Sequence, residues 1–152
     1  MVTELSYFRP MDEYDLKWVL STEKASYDFP WSQQGFTKVM DDGLAYILCD
    51  MDDQALGYAC FLAVLDEIHL LNLCISPNFR RQGIALQALD KFKDYFVDSD
   101  YEKMLLEVRQ SNPAKTMYQK LGFVEDGIRK GYYPVKNSPQ KEDAVLMSWA
   151  LL

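Results

Sequence analysis

The segment Asn72-Leu-Cys-Ile-Ser-Pro-Asn-Phe-Arg-Arg-Gln-Gly-Ile-Ala85 constrains this chain more than any other. Apolar residues run as far as Ile75, a turn carries Arg80, Arg81, Gln82 and Gly83, and a helical pattern begins at once. In that helix Ile84, Leu86, Leu89, Phe92 and Phe96 form an apolar stripe. A strand that feeds a helix through one short turn aims several backbone N–H groups at a single point. The first N–H groups of a helix lack intrahelical partners and the macrodipole is positive there, so the turn is an anion cradle. Flanking arginines suit phosphate, and a pyrophosphate is the expected ligand.

Around this turn the chain reads as an α/β domain. Leu5–Arg9 is a short strand, and Asp12–Ala25 is a helix with Leu16, Val19 and Leu20 at helical spacing. An aromatic loop, Tyr27-Asp-Phe-Pro-Trp-Ser32, leads to a second helix capped by Ser32 and running to about Met40. Leu44–Asp50 and Gln54–Leu65 form a hairpin about a turn at Met51–Asp53. Asp66 and Glu67 make a tight turn into the strand Glu67–Ile75. After the helix Gly83–Phe96 come the strand Met104–Val108 and a short helix, Pro113–Lys120, which ends at a left-handed cap on Gly122. Two last strands, Phe123–Tyr133 and Asp143–Leu151, flank a polar loop. The order β-α-α-β-β-β-α-β-α-β-β gives a mixed sheet with the key turn at the C-terminal end of a strand, where open α/β sheets bind ligands.

Length and composition exclude other classes. A chain of 152 residues with 49% hydrophobic content builds one domain, residues 1–152, with a substantial core. Its apolar runs are too short to span a bilayer, and its first residues lack the pattern of a signal peptide. Cys49, Cys60 and Cys74 lie in apolar runs, odd in number and without zinc or disulfide spacing. They read as small buried hydrophobes in a reducing cytoplasm, with no metal expected. His69 reads as a core or surface imidazole. A net charge of −7 argues against direct nucleic-acid binding and favours a basic partner, although it also serves solubility.

Two common phosphate signatures are absent. A P-loop needs Gly-Lys-Ser/Thr, and a dinucleotide fold needs three glycines with an acidic residue downstream. Gly83 stands alone. The remaining pattern, Arg80-Arg-Gln-Gly83-Ile-Ala85, resembles the Arg/Gln-x-x-Gly-x-Gly/Ala loop that binds acetyl-CoA in the GNAT acetyltransferase family. The likeness extends through Leu106-Glu-Val-Arg-Gln-Ser-Asn112 and Tyr118-Gln-Lys-Leu-Gly-Phe123. Phe29-Pro-Trp-Ser32, Val64-Leu-Asp-Glu67, Tyr132-Tyr-Pro134 and Glu142-Asp-Ala-Val-Leu-Met147 resemble the RimI type, which acetylates the N-terminal alanine of a small-subunit ribosomal protein. That resemblance implies a mixed, mostly antiparallel sheet with a splayed pair of strands and flanking helices. It implies acetyl-CoA as cosubstrate, a protein N-terminus as partner, a cytoplasmic location and a monomer or weak dimer.

Acetyl transfer to an amine needs a base for the amine, polarisation of the carbonyl and a proton for the leaving thiolate. Glu107 interrupts the apolar run Met104–Val108. It is either a base whose pKa burial would raise, or a buried carboxylate paired with Arg109. The family likeness favours the base. Tyr118 reads as a core tyrosine or as the acid for the thiolate, and the likeness again supports chemistry. Leu73, Cys74 and Ile75 would meet the pantetheine arm along the strand edge, where the likeness also puts the oxyanion donor. Arg81, Gln82, Gly83, Ile84, Ala85 and Leu86 would wrap the pyrophosphate. Arg80 joins them or is a surface charge.

Asn112 is the family's further CoA contact, although its spacing to Tyr118 is one residue short, so Ser111 is a rival or the helix starts later. Phe29, Trp31, Tyr132 and Tyr133 would line an acceptor slot or pack in the core. With no cysteine placed for an acetyl-enzyme, direct attack in a ternary complex is expected. A small-amine acetyltransferase and a non-catalytic acyl-CoA module are the alternatives.

Overall fold

The computed structural model describes residues 3–151. Seven strands form one sheet in the order β1-β2-β3-β4-β5-β7-β6, with four helices. They are β1 (Tyr7–Pro10), α1 (Leu16–Ser26), α2 (Gln33–Asp41), β2 (Ala45–Cys49), β3 (Ala55–Val64), β4 (Glu67–Ile75), α3 (Ile84–Asp98), β5 (Lys103–Arg109), α4 (Ala114–Leu121), β6 (Val124–Tyr133) and β7 (Glu142–Ala150). β4 and β5 are parallel, whereas β1–β2, β2–β3, β5–β7 and β6–β7 are antiparallel. The β4–β5 ladder has rungs from Glu67↔Lys103 to Leu70↔Leu106, and β4 runs on through Ile75 beyond the last of them.

The chain divides into two compact units, residues 3–62 with 71–91, and residues 63–70 with 92–151. The first has a core of Met11, Val19, Phe36, Val39, Ile47, Tyr58, Cys60 and Cys74, among others. Trp18 and Phe36 meet the Tyr58 ring edge-on at 6.1 and 5.6 Å. All three cysteines are free and buried. Helix α1 is preceded by a 3-10 turn, Glu13–Asp15, so the expected helix from Asp12 begins with a tighter turn. Asp12 and Asp15 cap that turn reciprocally, and Arg9 clamps both oxygens of Asp15 at 2.8 Å. Ser32 caps α2 as expected, accepting the Gly35 N–H at 3.2 Å.

The second unit is built on alternation. In β5, Met104, Leu106 and Val108 are buried while Leu105, Glu107 and Arg109 are half-buried, as a period of two requires. The Phe123 and Trp149 rings pack at a tilt of 38° with centroids 5.0 Å apart, and Lys93 lies 4.5 Å over the Trp149 ring. Gly122 ends α4 with φ 118°, and a Cβ there would stand 2.8 Å from the Trp149 indole nitrogen. Most other bounds shift by a residue or two from expectation, and two of the differences fall at turns. The tight turn before β4 is Leu65–Asp66, with Leu65 at φ 55°, one residue earlier than the expected Asp66–Glu67, while β4 itself starts at Glu67 as expected. Pro113 precedes the helix rather than opening it.

Candidate active site

The cradle lies in the first unit. β4 delivers Leu73, Cys74 and Ile75, a 3-10 turn spans Pro77–Phe79, and the chain reaches α3 through Arg80–Gly83. Arg81 has φ 64° and Gly83 φ 80°. Left-handed residues in such a turn make successive N–H groups converge into an anion-binding concavity. The N–H groups that open α3 at Ile84, Ala85 and Leu86 follow directly. A Cβ on Gly83 would meet no atom within 4 Å, so the backbone there is open to approach. Convergent donors, a helix start and open space fit a pyrophosphate.

Several side chains of this segment are occupied. Gln82 accepts the Thr3 N–H through Oε1 at 2.6 Å, and Gln87 accepts that of Leu5 at 2.9 Å. Arg80 is not a loose surface charge. It donates from Nε to the Ile75 carbonyl at 3.0 Å and from Nη2 to Ser26 Oγ at 2.7 Å. The Leu73 carbonyl accepts the Tyr27 hydroxyl at 3.0 Å. Gly57 on β3 passes so close to β4 that a Cβ would overlap the Cys74 carbonyl oxygen.

In the same unit, Phe29 is about half exposed, while the Trp31 ring packs 5.2 Å from Phe36 at the rim of the core. The Trp31 backbone N–H donates to Glu23 Oε2 at 2.9 Å. Glu23 is 1% exposed and also accepts the Tyr58 hydroxyl at 2.7 Å and the Asn72 amide at 3.0 Å. Sequence reasoning missed it. The only signal was its position four residues after Val19, on the inward stripe of α1.

Glu107 and Tyr118 belong to the second unit. Glu107 is not the buried carboxylate expected, since its side chain is 31% exposed. Glu107 Oε1 lies 3.3 Å from Arg129 Nη2, whereas Arg109 binds Glu142 at 3.1 Å and the Pro134 carbonyl at 2.9 Å. Arg109 and Glu107 project from one face of β5 but are drawn to different elements. Arg129 also covers Tyr132 at 4.7 Å and Arg109 covers Tyr133 at 4.6 Å, while the two tyrosine rings meet edge-on at 5.0 Å. Burial foremost, then the Glu107 charge, pushes the Tyr133 hydroxyl up to about 12. A break in the β6–β7 register between Arg129 and Tyr133 sets this cluster at the end of the strand.

Tyr118 sits on α4 with its ring 5.6 Å from Phe123, and burial pushes its hydroxyl up to about 12. Its backbone carbonyl accepts the Phe123 N–H at 3.0 Å through the Gly122 cap. Asn112 lies just before Pro113, the residue that precedes the helix, and its Oδ1 accepts the Ala114 N–H at 2.9 Å. The Ser111 N–H donates to Glu142 at 3.1 Å. His69 Nε2 is 3.5 Å from Glu67 and has no hydrogen bond. Among the described residues no cluster could hold a metal ion, and no helix is long and apolar enough to cross a membrane.

A strand-turn-helix anion cradle on a mixed sheet of this order fits a cofactor that carries a pyrophosphate. The chain belongs to the GNAT acetyltransferase family, whose domain profile matches residues 21–131. Accordingly it is an N-acetyltransferase that uses acetyl-CoA. The [ribosomal protein bS18]-alanine N-acetyltransferase of Salmonella typhimurium is 33% identical over 135 residues, 88% of this chain and 90% of that protein. The crystal structure of the ribosomal-protein-S18-alanine N-acetyltransferase from Escherichia coli superposes with a TM-score of 0.85 at 30% identity, covering 95% of this chain and 93% of that one. A spermidine N-acetyltransferase from Vibrio cholerae, solved with CoA and spermine, has a TM-score of 0.82 at 18% identity over 95% of each chain, which is a likeness of fold alone.

Proposed function

We propose that this chain acetylates a protein N-terminal α-amine, with the N-terminal alanine of ribosomal protein S18 as acceptor. Relatives of that named activity, at 30–33% identity over most of the chain, support the acceptor class. The observation that carries the chemistry is Glu107, an accessible carboxylate within the apolar run Met104–Val108, beside Arg129 and the Tyr132–Tyr133 pair on β6.

Acetyl-CoA supplies an acetyl group already activated as a thioester. Arg81–Leu86 would hold its pyrophosphate, mostly through main-chain N–H groups. Leu73, Cys74 and Ile75 would line its pantetheine arm, sharing the Leu73 and Ile75 carbonyls with Tyr27 and Arg80, since a carbonyl oxygen has two lone pairs. Asn112 would join them as a CoA contact. Glu107 Oε removes the proton from the acceptor ammonium, directly or through a water. An α-amine titrates near about 7.7–8.0 and a lysine near about 10.4, so one carboxylate suffices for the former far more readily. Tyr118 Oη keeps its proton well beyond neutral pH and can lend it to the departing sulfur. Phe29, Trp31, Tyr132 and Tyr133 would receive the peptide.

A peptide beginning with alanine is assayed beside spermidine and other small amines, with released CoA and acetylated product both measured. Preference for the peptide is expected. Preference for polyamines would overturn the acceptor assignment, and CoA release with none of them would overturn catalysis of this kind.

A further inference from the structure

The buried carboxylate of Glu23 has no part in the chemistry above, yet it joins three separate elements. It projects from α1 and is 1% exposed. Its Oε2 takes the Trp31 peptide N–H at 2.9 Å, and its Oε1 takes the Tyr58 hydroxyl from β3 at 2.7 Å and the Asn72 amide from β4 at 3.0 Å. All three donors are neutral. A carboxylate taken out of water is costly unless its oxygens are satisfied, and here each oxygen has at least one donor. Asn72 immediately precedes Leu73 on the strand proposed to meet the cofactor, and Trp31 lies in the loop proposed to meet the acceptor. One side chain therefore fixes the loop backbone against the strand.

The neighbouring turn of α1 repeats the pattern at the surface. Ser26 Oγ accepts from Arg80 and the Tyr27 hydroxyl donates to the Leu73 carbonyl. These bonds are exposed to water and individually weak. Glu23 is the buried member of the set.

We infer that Glu23 is a positioning residue for acceptor binding, acting through the Trp31 N–H to hold the Tyr27–Ser32 loop at a set distance from β4. It rests on the acceptor role proposed for that loop. A loop released from β4 samples many arrangements, and the acceptor must then select the competent one. Its apparent affinity falls by the fraction of loops correctly placed, while the cofactor strand, still held by Leu56 and the sheet, keeps its own.

The measurement is steady-state kinetics with an alanine-first peptide and acetyl-CoA varied separately, alongside thermal melting. Glu23→Leu, which offers no acceptor, is expected to raise the peptide KM about tenfold and leave the acetyl-CoA KM within about twofold. Glu23→Gln is expected to restore the peptide KM, because its carbonyl can take the Trp31 N–H while Asn72 turns its amide over and Tyr58 rotates its hydroxyl. Tyr58→Phe removes one buried donor without touching the loop, and should lower the melting temperature with the peptide KM unchanged. A purely structural role would move both KM values in step with melting temperature in all three variants, and that result overturns the inference.

Should Glu23→Leu fail to fold, Trp31→Ala and Trp31→Pro ask the same question, since both lose the ring and only proline loses the N–H. A further rise in peptide KM for proline supports the inference, and equal values overturn it. The unaltered chain is assayed first. If it acetylates polyamines and not the peptide, the proposed acceptor fails, and the same variants are then read against the polyamine KM.

Discussion

Gly57→Ala tests how tightly the cofactor strand is held. A Cβ at Gly57 would overlap the Cys74 carbonyl oxygen and lie 3.1 Å from both Cα and Cδ1 of Ile75. Two of these three atoms are backbone, and the strand cannot swing aside because the Ser76 N–H is bonded to the Leu56 carbonyl at 2.8 Å. Overpacking of this kind costs about 1–3 kcal/mol, and rigid backbone neighbours put the site at the upper end. Replacing a strand glycine returns about 0.5–1 kcal/mol of chain entropy. The net loss is then about 2 kcal/mol, which for a chain of this length lowers Tm by about 4–8 °C. Because the displaced atoms belong to Cys74 and Ile75, acetyl-CoA affinity should fall as well. Calorimetric melting and an acetyl-CoA titration of the same sample measure both. Gly127→Ala is the matched control, since a Cβ there meets nothing within 4 Å. A Gly57→Ala protein that melts with its parent and binds acetyl-CoA equally well would refute the close approach and the strand's role together.

Two further outcomes follow from the site and one from the Arg9–Asp15 pair. Glu107→Gln should lower kcat by about 10²–10⁴ with acetyl-CoA affinity unchanged, and undiminished turnover across the pH range would remove Glu107 as base. Tyr118→Phe should lower kcat without altering the alkaline limb of the pH profile below about pH 11, because burial keeps the hydroxyl protonated up to about 12; an alkaline limb that disappears with the hydroxyl would contradict this. Burial pulls the Asp15 carboxyl upward, but its bonds to Arg9 and to the Asp12 N–H outweigh that and hold it below the usual carboxylate range. Stability from this pair is thus fully present above about pH 4, where the unfolded carboxyl is ionised, and drains away as pH falls through the depressed folded value. Asp15→Asn should melt earlier at neutral pH and converge on its parent in acid, and a gap that ignores pH would count against the pair.

Local signals carried the architecture. β4 has the bounds that its apolar run predicts, Ser32 caps α2, and Gly122 adopts the left-handed cap that its place after Leu121 suggests. Each depends on a few adjacent residues whose conformational preferences agree with the fold. The turn after Ile75 was legible for the same reason, since a lone glycine between arginines and a helical stripe has few other uses. What stayed hidden was pairing at long range. Arg80 reads as a phosphate contact or a surface charge, and its bond to Ser26, 54 positions away, has no signal in the sequence. Glu23 lies between Thr22 and Lys24 and looks like one more polar helix residue, because its donors come from positions 8, 35 and 49 residues on.

Glu107 shows why composition alone misjudges such a residue. Its apolar neighbours in sequence suggest burial, but the strand alternates, so Leu106 and Val108 face the core while Glu107 shares the opposite face with Leu105 and Arg109. Its ion-pair partner is then set by the order of strands. β7 lies beside β5 and β6 beside β7, with Glu107 opposite Leu146 and Leu146 opposite Gly127. The β6 register slips between Glu125 and Gly127 and again between Arg129 and Tyr133, and from this strand Arg129 and the two tyrosines come to the carboxylate. Without the first irregularity Arg129 would face the other side of the sheet, since one residue of slip reverses a side chain. The proposed base therefore depends on strand register and two irregularities in a strand that is itself mostly exposed, and not on a closed apolar pocket.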